Sequence, residues 1–358
     1  MKKIDQKKLT ILLVLKDRKF FTLRFFLFYK IFNLKYRLFI ADGSRKKLAR
    51  EDLKILDHNN IDYQYYKFPY DKDLKTYIIK INKSLKIINT KYVMFFDNDD
   101  IPLKSTINKC LHKLETNRNL TACGGYLINF QLLEYYGKKN YKCKGHMINF
   151  AKMKYGNNYN SNDKYKRVRN YFLKKDINTY NDIFYTKHLR KTYSIVSKFR
   201  FNYLYFYFIL ADALNYYNGK IIKLNLPFAF HQSHQESYGA KESIYDVIDN
   251  QKFCIEKKIF YKNFNKIFSN KYIFSYLKKY FEILEKKTLL HKLLKTKNNN
   301  LFFFNFDQWK YLLKKIYKPF VYLFFSFRNN HFNKFILLYK NNSLKKEIIN
   351  IFLFLKKT

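Results

Sequence analysis

The chain has 358 residues, with 71 Lys and Arg against 27 Asp and Glu, so its formal net charge is +44 at pH 7. Such a charge normally indicates a nucleic acid or an anionic membrane as a partner. However, Lys is accompanied here by abundant Asn, Ile, Phe and Tyr, the residues of A/T-rich codons, so much of the excess can reflect the genome. Without zinc-finger spacing or an RNA-binding aromatic motif, the sequence argues against specific nucleic-acid binding.

The cysteines and the apolar segments of the sequence indicate the cellular compartment of the protein. The four cysteines, Cys110, Cys123, Cys143 and Cys254, share no paired spacing, which is typical of a reducing environment. The apolar run near the first residue is too short for a signal peptide. The longest apolar stretches fall short of the ~20 residues that a transmembrane helix requires. We therefore expect a cytoplasmic protein, at most peripheral on the inner face of the membrane.

The first part of the chain alternates strand-like and helix-like segments. Apolar or aromatic runs predict strands over residues 9–15, 36–41 and 63–68, with room for a helix between the first two. Over residues 74–88 the apolar side chains recur at helical spacing, and either Asp71 or Asp73 can cap this helix.

An acidic cluster follows the next predicted strand. Apolar residues 92–96 run directly into Asp97, Asn98, Asp99 and Asp100. Carboxylates this close repel one another unless a cation lies between them, so the cluster predicts a site for a hard metal ion. The alternative is a turn whose aspartates cap a helix that begins near residue 104.

The predicted elements place several acidic residues at one edge of a sheet. A helix is expected around residues 104–114 and a further strand over residues 120–128. Strands separated by helices indicate a mainly parallel sheet, and ligands bind at the carboxyl ends of such strands. Asp17, Asp42 and the cluster at residues 97–100 all fall at those ends.

These motifs resemble the nucleotide-sugar glycosyltransferases of the GT-A fold, the family 2-like group that builds bacterial surface polysaccharides. The resemblance covers about residues 9–240. It is carried by the Lys-Asp-Arg corner at residues 16–18, the Asp-Gly-Ser turn at residues 42–44, and the Asp-Asn-Asp-Asp motif at residues 97–100. It implies an α/β fold with a GT-A, Rossmann-like, mainly parallel sheet flanked by helices.

The resemblance also implies roles for individual residues. By this carry-over Asp42 contacts a uracil-type base, the nucleotide is bound by Asp17, Arg18, Ser44 and Asp97, and Asp99 or Asp100 holds Mn²⁺ or Mg²⁺. A bound cation of this kind stabilises the charge on a departing nucleoside diphosphate.

Asp212 is the candidate catalytic base that would take the proton from an acceptor hydroxyl. It lies in an apolar segment, residues 208–214, followed by a predicted strand over residues 221–226, and this arrangement resembles the acidic-helix segment of the family. The common acidic pair is interrupted, because Ala211 occupies its first position. A helix-surface aspartate is the alternative reading.

Two histidines follow that strand, His231 and His234. In the resembling enzymes this segment often faces the diphosphate or the metal, so His234, the preferred one of the two, is a third candidate metal ligand. A structural role is the alternative for either histidine.

The remainder of the chain differs from the catalytic segment. Residues 135–181 are polar and are expected to form loops near the acceptor. No glycine occurs after Gly239, so residues 241–358 predict a helical C-terminal extension with a loop at residues 298–300, next to a glycosyltransferase domain at residues 1–240. Lysines alternate with aromatic residues in this extension, which would suit an anionic membrane surface or a lipid-linked acceptor.

The sequence thus predicts a metal-dependent, inverting glycosyltransferase that moves a sugar from a nucleotide-sugar donor, with a UDP-sugar favoured, to a glycan or lipid-linked acceptor. One alternative is a sugar-phosphate nucleotidyltransferase, although the glycine-rich loop that such enzymes place early in the chain does not occur before Gly43. The other is a non-catalytic basic protein that binds a membrane or nucleic acid.

Overall fold

The computed structural model describes residues 5–133, 146–152, 160–174, 179–234, 247–300 and 342–357. The strands in these ranges are β1 (Leu9–Leu15), β2 (Arg37–Asp42), β3 (Tyr63–Lys67), β4 (Tyr92–Asp97), β5 (Ile101–Pro102), β6 (Leu120–Leu133), β7 (His146–Lys152), β8 (Ile183–Tyr185) and β9 (Lys220–Gln232). The α-helices are α1 (Lys19–Ile31), α2 (Arg50–Asp57), α3 (Leu74–Ile87), α4 (Lys104–Thr116), α5 (Lys164–Lys174), α6 (Thr186–Val196), α7 (Leu204–Asn218), α8 (Gln251–Phe268), α9 (Lys271–Asn300) and α10 (Asn342–Lys357).

All of these strands belong to a single sheet with the order β3-β2-β1-β4-β8-β6-β9-β5, and β7 pairs with β6. The half formed by β1 to β4 is parallel. In the other half, β6 and β9 are parallel, whereas β8, β7 and β5 pair antiparallel with their neighbours. The expected α/β sheet is therefore present, with a parallel first half and a mixed second half.

The register of the parallel half aligns the carboxyl ends of its strands. Leu15 pairs with Asp42 across β1 and β2, and Val14 pairs with Asp97 across β1 and β4. Every residue of β1 is buried, because helices cover both faces of the sheet, and this explains its unbroken apolar sequence. The motifs that follow β1, β2 and β4 consequently meet at one edge.

Helices pack on both faces of the sheet. Helices α1, α2, α4 and α10 share one apolar core with the first face, and α3 and α5 to α9 share the second core with the other. The last helix is part of the first core: Phe354 of α10 packs edge-on against Phe28 of α1, with ring centroids 5.7 Å apart. The C-terminal helices thus lie against the sheet that carries the site.

Of the two aspartates proposed as the cap of α3, only one has this role. Asp73 is the N-cap, and its Oδ1 accepts a hydrogen bond of 2.7 Å from the backbone N of Thr76. Asp71 is instead buried beside Lys80, where it contributes to the sheet edge described below.

Some expectations from the sequence need correction. The region expected to be loops contains β7 and α5, while residues 134–145, 153–159 and 175–178 lie outside the described part. The prediction of a loop at residues 298–300 is wrong, because α9 continues to Asn300. The last predicted strand is longer than residues 221–226, since β9 passes Pro227 where its register with β6 shifts.

The domain boundary at residue 240 lies outside the described residues. Within the described ranges, no helix combines the length and the apolar character needed to cross a bilayer.

Candidate active site

The corner between β1 and α1 has an unusual backbone. Asp17 and Arg18 both adopt left-handed conformations, with φ angles of 55° and 59°. Non-glycine residues rarely do so, and such conformations persist only where neighbouring groups hold them. Here Asp17 N donates to Ser44 Oγ at 2.7 Å, Asp17 Oδ1 accepts from Arg45 N at 3.0 Å, and Arg18 O accepts from Asn98 Nδ2 at 3.2 Å. The corner is therefore fixed by the ends of β2 and β4.

Asp42 at the end of β2 is completely buried. Its Oδ1 accepts a hydrogen bond of 2.8 Å from Ser44 N, and its Oδ2 accepts one of 2.6 Å from the Tyr65 hydroxyl. Both oxygens thus hold the turn that presents Ser44 to the β1 corner.

A buried pair of charges links the ends of β1 and β2 to the segment before α3. Lys80 Nζ donates to Leu15 O at 2.7 Å and forms an ion pair with Asp71 Oδ2. Asp71 N in turn donates to Gly43 O at 3.0 Å. The second oxygen of Asp71, Oδ1, is buried and has no hydrogen-bond partner. A buried carboxylate oxygen without a partner costs free energy, so this atom is a candidate acceptor for a ligand.

Asp99 lies between an arginine and a histidine side chain. Its Oδ2 is 2.8 Å from Arg18 Nη1 and 2.6 Å from His234 Nε2. Burial acts to raise the pKa of Asp99, but the His234 hydrogen bond and the Arg18 charge outweigh it, and the pKa lies below its usual range. Asp99 is therefore ionised at neutral pH.

Asp100 forms a second carboxylate–histidine pair. His231 Nδ1 lies 2.6 Å from Asp100 Oδ1, and Asn181 Nδ2 lies 3.4 Å from Asp100 Oδ2. Burial lowers the pKa of His231, but the charge of Asp100 outweighs it and raises this pKa to about 9. Because the His231 side chain is 31% exposed, it offers a positive charge to the solvent side of the motif.

Asp97, the first carboxylate of the motif, accepts a hydrogen bond of 3.2 Å from the Tyr180 hydroxyl. Burial, followed by the charges of Asp99 and Asp100, raises the pKa of Asp97 to about 7. The pKa values of Asp97 and Asp99 are thus shifted in opposite directions although the two residues lie only two positions apart.

The motif can be tested for its fit to the divalent cation that the resemblance implies. Asp99 Oδ1 is buried and has no hydrogen-bond partner. Among the described residues, no group of three or more His, Cys, Asp or Glu side chains is arranged to hold a metal ion. Mg²⁺ is commonly held by one or two carboxylates together with substrate phosphates, so a site completed by a nucleotide fits the residues present.

Asp212 lies in the middle of α7, and it is only 5% exposed, so it is not a helix-surface residue. Its Oδ1 accepts from Thr179 Oγ1 at 2.5 Å and from Thr179 N at 3.1 Å. Its Oδ2 lies 3.4 Å from the Tyr171 hydroxyl. Burial raises the pKa of Asp212 to about 7, although the Thr179 hydrogen bonds act in the opposite direction. A small cavity beside it is lined by Phe95, Tyr180, Phe208 and Ala211.

The structure therefore brings most of the expected residues together. Asp17, Arg18 and Ser44 meet at the β1 corner, and Arg18 and His234 meet on Asp99. Asp42 is buried beneath this corner and holds the turn that contains Ser44. Asp212 is connected to the motif through the segment at residues 179–181.

Several site residues were not found from the sequence. Arg24 is buried in α1, where it donates to Asp99 O at 3.0 Å and to Gln232 Oε1 at 2.6 Å. An arginine inside the aromatic run of α1 is a signal that could have revealed it. Thr179, Tyr180 and Asn181 carry no such signal, because their contacts depend on distant parts of the chain.

Residues 31–190 match the family model described as glycosyl transferase family 2. This segment of the chain is therefore similar to the family 2 glycosyltransferases. The matched segment includes Asp42, Ser44 and the motif at residues 97–100, while Arg18, Asp212 and His234 lie outside it. The match favours the predicted glycosyltransferase over the nucleotidyltransferase and non-catalytic alternatives. No curated protein sequence matches this chain.

Solved structures similar to this chain include S. aureus TarS. One TarS crystal structure has 14% identity and a TM-score of 0.38, and the match covers 73% of this chain and 43% of that chain. A structure of TarS 1-349 in complex with UDP-GlcNAc has 15% identity and a TM-score of 0.39, with 73% and 72% covered. The chain thus spans less than half of the first of these proteins, and at such TM-scores the similarity carries no argument about the site.

Proposed function

We propose that this protein is a glycosyltransferase that moves a sugar from a UDP-sugar to a hydroxyl of a glycan or lipid-linked acceptor, with inversion and with a divalent cation, in the synthesis of a cell-surface polysaccharide. The observation that carries the proposal is the position of Asp99. It lies where β1, β2 and β4 end, between Arg18 and His234, and it retains one buried oxygen without a partner.

The donor nucleotide would bind along the ends of β1 and β2. Asp17 and Ser44 are already linked there, and Tyr70 lies between Lys16 and Arg45, whose charged groups are 5.5 and 5.1 Å from its ring centre. Asp71 Oδ1 offers an acceptor at this edge. Uracil carries a hydrogen-bond donor at N3, whereas cytosine carries an acceptor there, so Asp71 favours uracil.

The diphosphate would lie over the acidic motif, with Asp97 beside it. Arg18 and His231 supply positive charge at this place, and Asp99, with Asp100, would hold Mn²⁺ or Mg²⁺. When bound, the cation would act as a Lewis acid towards the leaving diphosphate. His234 contacts Asp99 through Nε2, so its proposed role is to orient that carboxylate, and its own ligation of the cation stays a prediction.

Asp212 would act as the general base. A pKa of about 7 suits a base that works near neutral pH. The acceptor oxygen would form a bond to the anomeric carbon while the bond between that carbon and the diphosphate oxygen breaks. The bonding electrons leave with the diphosphate, and the acceptor proton passes to Asp212. A direct displacement of this kind inverts the anomeric centre.

A lipid-linked acceptor is supported by the outer face of α8. Ile255 and Ile259 are 53% and 50% exposed on this helix, and Lys252, Lys258 and Lys262 are exposed beside them. Apolar side chains flanked by lysines suit a surface of anionic lipids. We therefore place the enzyme on the inner face of the membrane in this proposal.

Calorimetry with UDP, GDP and CMP, each with and without Mn²⁺, tests the proposed donor. We expect UDP to bind most tightly, in a manganese-dependent way, and Asp99→Ala to abolish the dependence. Asp62→Ala, which removes an exposed aspartate paired with Arg37, is the matched control and should bind like the wild type. A folded wild-type protein that binds none of the nucleotides would contradict the proposal. The anomeric configuration of the product, measured by NMR, tests inversion.

A further inference from the structure

We propose that residues 179–182, here called the connector, hold the proposed base Asp212 and the acidic motif at residues 97–100 in position, and that Thr179 is the positioning residue for the base. This inference rests on the proposed role of Asp212. The connector was expected only to be part of a polar loop region, and no chemistry was assigned to its residues.

Each residue of the connector contacts a different part of the site. Thr179 donates two hydrogen bonds to Asp212 Oδ1, Tyr180 donates one to Asp97 Oδ1, Asn181 donates to Asp100 Oδ2 and to Phe95 O, and Asp182 forms a buried ion pair with Lys223. Three consecutive residues thus join the proposed base to two carboxylates of the acidic motif, and the fourth, Asp182, anchors them to β9.

The sheet topology explains why the connector reaches the motif. It leads directly into β8, which pairs antiparallel with β4 on one side and with β6 on the other. Because β8 runs opposite to β4, the residues that precede β8 lie at the end where β4 finishes. The connector is therefore placed beside Asp97 by strand pairing.

The last residue of the connector is its anchor. Asp182 is 3% exposed and pairs with Lys223 on β9. Its carboxylate lies against Gly124 on β6, so closely that a Cβ at this glycine would overlap Asp182 Oδ1. A glycine is needed at this position because the carboxylate occupies the space of a side chain.

Thr179 determines which oxygen of Asp212 remains available. Asn215 Nδ2 donates to Thr179 Oγ1 at 3.0 Å, so the hydroxyl uses its own hydrogen for Asp212 Oδ1. With Oδ1 held by two hydrogen bonds, Oδ2 is the atom left to accept a proton. The Tyr171 hydroxyl lies 3.4 Å from Oδ2, which is long for an O–H···O bond.

Several titratable groups face Asp212 from the surrounding elements. They are Tyr171 on α5, Tyr193 on α6, Asp182 in the connector and Lys223 on β9. Thr179 is the neighbour that hydrogen-bonds the ionised form of Asp212 most directly, through two donors. Removal of its hydroxyl should therefore raise the pKa of Asp212 above about 7.

The pH dependence of unfolding reports this effect without any substrate. Asp212 binds a proton more tightly in the folded state than in the unfolded state, so between the unfolded pKa of 3.8 and about 7 its titration lowers the stability as the pH rises. The difference between the wild type and Asp212→Asn isolates this contribution. In Thr179→Val the decline in the free energy of unfolding should end about one pH unit higher than in the wild type. Thr179→Ser keeps the hydroxyl and should restore the wild-type pH dependence.

Turnover provides the second measurement. Release of UDP from UDP-glucose or UDP-N-acetylglucosamine should show a kcat roughly tenfold lower in Thr179→Val, with an unchanged KM and an alkaline shift of the pH profile. Tyr180→Phe, which loses the contact to Asp97, should instead raise the KM. Thr10→Val is the matched control, because it removes a buried hydroxyl that pairs with Thr90 far from the connector.

Either curve can overturn the inference. The control Thr10→Val should show the wild-type pH dependence of the free energy of unfolding. If Thr179→Val shows that same pH dependence, Thr179 does not set the pKa of Asp212. If Thr179→Val does not fold, Thr179→Cys carries the same expectation, since a thiol is a weak donor. If Asp212→Asn retains wild-type turnover, the proposed base is wrong, and this outcome is separate from a failure of the connector alone.

Discussion

Two buried aspartates mark the two halves of the proposed active site: Asp99 lies in the donor half and Asp212 in the base half. Asp99 lies at the end of β4 with Arg18 and His234 against one oxygen, and its pKa is lowered. Asp212 lies in α7, where its hydrogen-bond partners are the neutral groups of Thr179 and Tyr171, and its pKa is raised to about 7. Similar burial thus gives pKa shifts in opposite directions, because only Asp99 has the cationic Arg18 and a histidine hydrogen bond in direct contact.

The difference suits two different tasks. A carboxylate that stays ionised at all working pH values can hold positive charge next to the donor diphosphate. A carboxylate whose pKa lies near neutrality can accept a proton from an acceptor and release it later. The environment of each aspartate, and not its residue type, therefore determines its proposed role.

The largest effect is expected when the base is removed. Asp212→Asn keeps the shape of the side chain and an oxygen that can accept from Thr179, but it cannot take a proton. We expect kcat to fall by about 10²–10⁴-fold with little change in the affinity for UDP, as measured by steady-state kinetics and calorimetry. Loss of UDP affinity instead of kcat would break the proposed division between the two aspartates.

The second prediction concerns the donor half. Asp99→Ala leaves Arg18 and the buried His234 without their common partner. Breaking one side of a buried ion pair should lower the free energy of unfolding by about 3 kcal/mol and abolish the manganese dependence of UDP binding. In urea unfolding, the exposed pair of Arg37 and Asp62 provides the control, since Asp62→Ala should cost less than about 1 kcal/mol. Equal costs for the two variants would mean that Asp99 is not a tightly paired charge.

The two halves also differ in how well the sequence predicts them. Strands β1 and β4 are buried on both faces, so they have unbroken apolar runs, and the polar motifs after them mark their carboxyl ends. The donor half could therefore be read from local patterns. Asp42 was placed correctly at its edge, but its full engagement by Ser44 and Tyr65 could not be seen, because Tyr65 comes from another strand.

The base half depends on contacts that no local pattern encodes. Thr179 and Asp212 are 33 positions apart, and Asn181 and Asp100 are 81 apart. The connector shows no periodic pattern of apolar residues, and it lies at the end of the region that the sequence predicts to be loops. Its place is determined by β8, a strand of only 3 residues between β4 and β6. So short a strand is below the length at which periodicity identifies an element.

The third prediction sharpens the description of the donor half at the base-binding end. In Asp71→Asn, the amide oxygen should face Lys80, which leaves the amide NH₂ at the position of Oδ1. An NH₂ donor matches N3 of cytosine and not N3–H of uracil. We expect UDP affinity to fall about tenfold relative to CDP, as measured by calorimetry. An unchanged ratio of the two affinities would show that Asp71 does not read the base.

The smallest effect is expected far from both aspartates, where α10 meets α4. Glu347 Oε2 accepts a hydrogen bond of 3.1 Å from Ser105 N in the first turn of α4. Glu347→Gln removes a negative charge from a helix N-terminus, so the free energy of unfolding should fall by about 0.5–1 kcal/mol. Since α4 follows the acidic motif closely in the chain, nucleotide affinity is the informative measurement. We expect it to stay unchanged, because Arg24 and His234 hold Asp99 independently of α4. A weaker affinity for UDP would instead extend the donor half to the C-terminal helix.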